Sequence, residues 1–433
     1  MNGEQHRFGR RTLLKRAFAG AFCMMAGGQS APVEETMVTT GRYNPALDSF
    51  DRTMIDYMRK RNIPGGALAV SKDGRLVYLR GYGYADQEEK EPVQPDALFR
   101  IASISKPITA VAVLTLVQHP RIKLDLDAPA FPMLPIKPFL TPGEKVDPRL
   151  NAITIRQLLH HTGGFDRGQS FDPMYRSPID IAAAVGVRGP ADPKTILRYM
   201  MGRPLDFDPG TRFAYSNFGY CVLGRVIEAL TGQTYTGYVQ NHVLHPMRIE
   251  RMRMGKTRLT DRAPGEVHYY QPNEKLVPSI FPEDGGKLVD MCYGGFYLEA
   301  MDAHGGWLAS APNLLRFAAG LDFPRRRPLL APETHALLSE PPAPPVKPEG
   351  GMYYGCGWNT RPIRNTGRFN MWHNGGLPGT NTWLIKRWDG LAWAALFNQR
   401  ETGNGLSDAE IDARLHPAAD AVKDWPDVDL FER

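Results

Sequence analysis

The chain has 433 residues, 42% apolar and 23% charged, with 43 Gly and 37 Pro; this excludes disorder, collagen-like repeats and coiled coil as the main architecture. Net charge is +6, but Arg7, Arg10, Arg11, Lys15 and Arg16 against Glu4 place most of the excess in residues 1–31, so the remaining 402 residues carry 47 basic against 45 acidic groups. A nucleic-acid footprint needs a concentrated basic surface, which the body of the chain has too little charge to form.

In chain order, Arg10-Arg11-Thr12-Leu13-Leu14-Lys15 precedes a short apolar run, Ala17 to Ala26, and then Gly, Ser and Ala. A charged start, a short apolar stretch and small residues describe an export signal, and the paired arginines make residues 1–31 a twin-arginine-type signal peptide. The run is well short of the ~20 residues needed to span a bilayer. Phe22 is too large to precede a lipid-modified Cys23. A soluble, periplasmic mature protein is expected, with no stable membrane insertion after cleavage.

Asp48 to Arg61 has helical spacing of Phe50, Met54, Ile55 and Met58. Ala67–Ser71 and Arg75–Tyr84 read as two strands joined through Asp73-Gly74, a strong hairpin signal. Ser103 to Val117 is helical and apolar. From about Thr154 to Met254, helix-like runs alternate with Pro/Gly-rich loops. Strands return at Trp372, Thr382–Lys386 and Leu391–Phe397, and Pro341-Pro342-Ala343-Pro344-Pro345 reads as a stiff surface connector. Strands at both ends with helices between them predict one sheet built from distant segments, with a helical unit inserted. Cys221, Cys292 and Cys356 are too sparse for a disulfide scaffold, although one pair has the option of bridging. Zinc, metalloprotease and nucleotide motifs are absent, as is Gly-x-Ser-x-Gly.

Three short segments carry possible chemistry. Ser103-Ile104-Ser105-Lys106 enters the apolar helix. Position i+3 puts Lys106 on the face of Ser103, where a desolvated amine can take the hydroxyl proton. The bland alternative is a helix-capping serine. Tyr215-Ser216-Asn217 follows a Pro-Gly turn. Its phenol, with a pKa lowered by a nearby lysine, would shuttle a proton, and its amide would hold a carbonyl. The alternatives there are a core tyrosine and a helix-capping asparagine. Trp372-His373-Asn374-Gly375-Gly376 leads into the terminal hairpin, where glycines let backbone N–H groups approach a ligand. His160-His161 reads as a helix end before Thr162-Gly163-Gly164, Met352-Tyr353-Tyr354 as core, and Arg325-Arg326-Arg327 as a solvated loop. The insertion 166–200 would shape the pocket in an unspecified way.

The order of these segments, 112 and then 158 residues apart, resembles the serine β-lactamase and penicillin-binding superfamily in its class C-like serine hydrolase branch. The segments Ile155–Gly164, Gly305–Ser310 and Tyr354–Trp358 support the resemblance, which runs over about residues 45–425. It implies an α+β fold: an antiparallel sheet flanked by helices (about 45–100 and 285–425) plus an all-helical subdomain (about 103–280). It also implies that Ser103 is the acyl-forming nucleophile, Lys106 its activator and Tyr215 the proton shuttle, with Lys106 or Tyr215 as the general base. Asn217, His373 and Gly375 would contact substrate, and the backbone N–H groups of Ser103 and Gly376 would form the oxyanion hole. No metal or cofactor is expected.

The departure lies at His373, where the family's β-lactamases usually carry a lysine that holds the drug's carboxylate. A neutral histidine recognises carboxylates more weakly. This favours a small-molecule ester, an amide or a D-amino acid peptide as substrate over a β-lactam. A non-catalytic protein that binds peptidoglycan in the same cleft is the competing reading from another class.

Overall fold

The computed structural model describes residues 36–175, 177–272, 276–322, 328–400 and 407–432. The leader and Arg325–Arg327 therefore lie outside the described residues. Strand β1 (Thr39–Gly41) precedes helix α1 (Asp48–Arg61), which ends on Asn62 in the left-handed conformation with basic residues in its last turn. The hairpin β2 (Gly65–Lys72) and β3 (Arg75–Asp86) turns through Asp73 and Gly74, both at positive φ, as a two-residue connection requires. After a short strand β4 (Phe99–Arg100) come α2 (Ser105–Val117), α3 (Ile155–Leu159), α4 (Pro178–Val185), α5 (Pro193–Met200) and α6 (Asn217–Thr231). Strands β5 (Arg253–Met254) and β6 (Trp307–Ala309) then join β4 in a three-stranded sheet. The chain continues through β7 (Tyr353–Tyr354), β8 (Asn359–Ile363), β9 (Arg368–Leu377), β10 (Thr380–Lys386) and β11 (Leu391–Phe397).

The large antiparallel sheet has the order β1–β3–β2–β11–β10–β9–β8–β7, with Glu91–Pro92 paired to β3 as a short extra strand. Its centre therefore pairs β2 with β11, from opposite ends of the sequence. Alternation along the strands divides the core. Leu68, Val70, Trp393 and Ala395 face α1 and the C-terminal helix Glu410–Asp420, whereas Ala67, Ala69, Ala394 and Leu396 face α2, α6 and the helix Ala311–Gly320. This is the expected sheet flanked by helices. Helix α2 is buried on every side, as its uniformly apolar sequence demands.

Two local expectations change. Ser103 does not cap a helix: it sits within a 3₁₀ turn, Ala102–Ile104, ahead of α2. Strand β9 begins at Arg368, because cross-strand pairing rather than apolar alternation defines it. Cys221 and Cys356 are free, buried thiols, and Cys292 is buried as well. Among the described residues no helix is long and apolar enough to cross a membrane.

Candidate active site

The turn that presents Ser103 is strained. Ala102 holds φ at +47°, a conformation that costs a residue with a Cβ about 1–3 kcal/mol and is kept only when its surroundings impose it. They do so from β9 and β10. Thr382 Oγ1 donates to the Ile101 carbonyl at 3.0 Å and lies 3.3 Å from the Gly375 carbonyl. Gly375 lacks a side chain for the same reason, since a Cβ there would stand 2.2 Å from the Ile101 oxygen. Gly375 therefore seats the strand against the serine turn, which brings Gly376 to the same cleft wall as Ser103.

Behind the serine, Lys106 is 0% exposed. Its Nζ lies 2.8 Å from Asn217 Oδ1, 3.0 Å from the His304 carbonyl and 3.1 Å from Ser103 Oγ. Burial holds the amine well below its usual range, and the Asp172 carboxylate opposes this only in part. A neutral amine has two N–H donors and one lone pair. The two carbonyl oxygens take the donors, which leaves the lone pair for the Ser103 hydroxyl. Asn217 is the first residue of α6 and not its cap; that role belongs to Ser216, which accepts from Gly219 N. The Asn217 amide is fixed by Asp172, whose Oδ2 accepts from Nδ2 at 2.6 Å.

Tyr215 lines the same cleft as Ser103, but burial pushes its phenol up rather than down, contrary to expectation. Its ring lies between Lys106 Nζ, 4.8 Å from the centroid, and the Arg167 guanidinium at 5.0 Å. The residue that positions it is His161, which the sequence presented only as a helix end. Its carbonyl accepts from Ala214 N at 2.9 Å, its Nδ1 accepts from Ser216 N at 3.1 Å, and its ring centroid lies 4.3 Å from that of Tyr215. The two residues flanking Tyr215 are thus tied to one residue, Ala214 through the His161 backbone and Ser216 through its ring. Changing His161 to Phe keeps the ring and removes the acceptor for Ser216 N–H. The expected result is a roughly tenfold fall in kcat on an activated ester with KM nearly unchanged, and about 1–3 kcal/mol less stability in urea, the cost of a buried unpaired donor.

His373 is 2% exposed. Its Nδ1 donates to the Asn374 carbonyl at 2.7 Å, so its Nε2 is the acceptor for the Tyr354 hydroxyl at 2.9 Å. Burial pushes it down to about 3. It carries no charge to offer a carboxylate. Tyr354, read from sequence as core, is therefore a partner of the third motif. Burial likewise pushes His160 down to about 4. Both rings bind protons near pH 6.5 in the unfolded chain and resist them in the fold, so unfolding takes up protons. Stability is therefore expected to fall as pH drops from about 6.5, with the His160 loss complete below about 4 and the His373 loss below about 3. Urea midpoints measured at stepped pH check this, and His373→Asn would flatten the lower part of the curve.

Three further cleft residues, Arg167, Asp172 and Arg400, carried no sequence motif. Asp172 and Arg167 come from the 166–200 insertion and lie 3.8 Å apart. Arg400 lies over Gly376 and pairs with Asp408 at 3.2 Å.

The family model described as Beta-lactamase matches residues 50–416. Protein flp of Staphylococcus aureus (strain N315) is 31% identical over 209 residues, 47% of this chain and 37% of that protein. Esterase EstB of Burkholderia gladioli is 36% identical over 197 residues, 44% of this chain and 47% of the esterase. The chain thus spans less than half the length of these two curated relatives. Among solved structures, the octameric penicillin-binding protein homologue from Pyrococcus abyssi is 25% identical with a TM-score of 0.64, over 87% of this chain and 77% of that one.

Proposed function

This chain belongs to the beta-lactamase family, and from that premise we propose that it is a serine hydrolase, an esterase acting through an acyl-enzyme on Ser103. The observation that carries the reading is the Lys106 amine, buried, with two carbonyl acceptors and its third contact on the Ser103 hydroxyl. In this reading Ser103 Oγ attacks the ester carbonyl as its proton passes to Lys106 Nζ. The N–H groups of Ser103 and Gly376 take the developing oxyanion. When the C–O bond breaks, the leaving alkoxide takes a proton from Tyr215, which regains one from Lys106. Water, activated along the same path, then releases the acid. In this reading Lys106, whose third contact is the Ser103 hydroxyl, is the base, and Tyr215 stays protonated until the leaving group departs.

The neutral, inward-turned His373 favours esters over carboxylate-bearing β-lactams. Amide and D-amino acid peptide cleavage uses the same machinery on a poorer leaving group. His373→Lys is expected to raise turnover of carboxylate-bearing β-lactams; unchanged rates would sink this account of the third motif. We also place the mature protein in the periplasm, on the strength of its leader sequence. The test of the esterase reading is hydrolysis of p-nitrophenyl butyrate by the mature protein beside Ser103→Ala. Activity lost in the variant supports it, whereas activity absent from the parent or kept by the variant removes it.

A further inference from the structure

Beside the reaction cleft lies a second cavity of about 300 Å³, at the lower end of the range for ligand pockets. Its walls are Phe213, Val346, Met352, Tyr353, Tyr354 and Trp372, with the charged side chains of Lys347 and Glu349 also lining it. Pro342, from the proline-rich segment read as a plain connector, forms part of the same wall. The cavity shares Phe213 and Asn359 with the cleft that holds Ser103, Tyr215 and Gly376. The two spaces are therefore adjacent, with Phe213 and Asn359 on the wall common to both.

Resting on the esterase reading, we propose that this cavity receives the alcohol part of the ester, and that the enzyme prefers esters with an apolar leaving group. Three observations converge. Tyr215, the residue with a proton to give the departing alkoxide, lines the cleft beside the cavity, and Phe213, on the wall common to both, is two residues before it. The part of the substrate that must meet that proton lies on this side. Next, the cavity wall is tied to the third motif: the Tyr354 hydroxyl bonds His373, and Trp372 pairs with Asn359 across β8 and β9. A cation at position 373 would put a charge behind the Tyr354 and Trp372 side of the pocket, whereas the neutral imidazole adds none there. Finally, Phe213, 44% exposed, lines both the cleft and the cavity and so offers an accessible apolar face where they meet.

Ethyl, butyl and hexyl acetate separate this from other arrangements, because their alcohols differ little in acidity and the chemical step is held constant. Burial of each methylene is worth about a fourfold gain, so kcat/KM followed by pH-stat is expected to rise at least tenfold from ethyl to hexyl acetate. Phe213→Ala, at an exposed position that leaves the core intact, is expected to cut the hexyl-to-ethyl ratio at least threefold, and Trp372→Ala to cut it further. A flat alcohol series, a rise that follows the acid chain in methyl acetate, butyrate and hexanoate instead, or a ratio unmoved by both variants would overturn the proposal while leaving the esterase reading intact. Failure to hydrolyse any of these esters would overturn both.

Discussion

Lys106→Ala is expected to lower kcat/KM on p-nitrophenyl butyrate by three to four orders of magnitude, roughly the range removed with a general base that also activates the nucleophile. The physical reason is the count of hydrogen-bonding groups around Nζ. Asn217 Oδ1 and the His304 carbonyl engage two N–H groups, so the third contact, on Ser103 Oγ, is where the lone pair meets the hydroxyl. Without the amine the serine keeps its proton, while its turn, its oxyanion donors and the cleft stay in place. The fold is expected to survive, with a melting point a few degrees lower, because two buried carbonyls lose a donor. Lys106→Arg separates this account from a purely electrostatic one. A guanidinium keeps the positive charge but has no lone pair to accept a proton, so arginine is expected to be as inactive as alanine. Substantial recovery with arginine would show that charge, not basicity, is what position 106 supplies.

Gly375→Ala is expected to have the next largest effect, on both activity and stability. The added methyl would meet the Ile101 carbonyl at 2.2 Å and Thr382 Oγ1 at 2.4 Å, backbone on one side and a hydrogen-bonded hydroxyl on the other. Neither is the free end of a flexible chain, so β9 must move away from the turn of Ile101, Ala102 and Ser103. Overpacking of this kind costs about 1–3 kcal/mol. In the proposed mechanism the same shift displaces Gly376, one of the two oxyanion donors, and loss of one such donor costs about a hundredfold or more in kcat. A hundredfold loss of kcat with a lowered urea midpoint is the expected pair of results. At Gly376 a Cβ would instead meet the Arg400 side chain at 2.9 Å, which can shift. Gly376→Ala is therefore expected to be much milder, and equal effects at the two positions would contradict the seam described for Gly375.

The parts of this architecture that were legible in the sequence are those in which a local rule and the tertiary context agree. Helix α1 and the Asp73-Gly74 hairpin are such cases, where apolar spacing and turn chemistry both point to the element found. Ser103, Lys106, Tyr215 and Asn217 were legible through the spacing of their motifs, and the fold brings their side chains together. What escaped depends on contacts between distant segments. Asp172 fixes the Asn217 amide from an insertion with no motif, and His161 holds Tyr215 from 54 residues away, while its sequence context says only that a helix ends. Strand β9 is rich in polar residues and glycine, and is a strand because β8 and β10 pair with it. The direction of the Tyr215 shift was reversed because proximity to a lysine lowers a phenol only when that lysine is charged; here both groups are buried and burial dominates.

The central claim is that Ser103 is acylated with neutral Lys106 as its base. The most direct measurement is the rate at which a p-nitrophenyl phosphonate modifies the protein, followed by intact mass from pH 5 to pH 10.5 beside Ser103→Ala. The account requires a single adduct absent from the variant. It also requires a rate that rises through one ionisation well below the ordinary lysine value of about 10.4, then stays level, because protonated Lys106 cannot take the serine proton. No adduct on the folded protein, equal labelling of the variant, or a rate still climbing near pH 10 would contradict it.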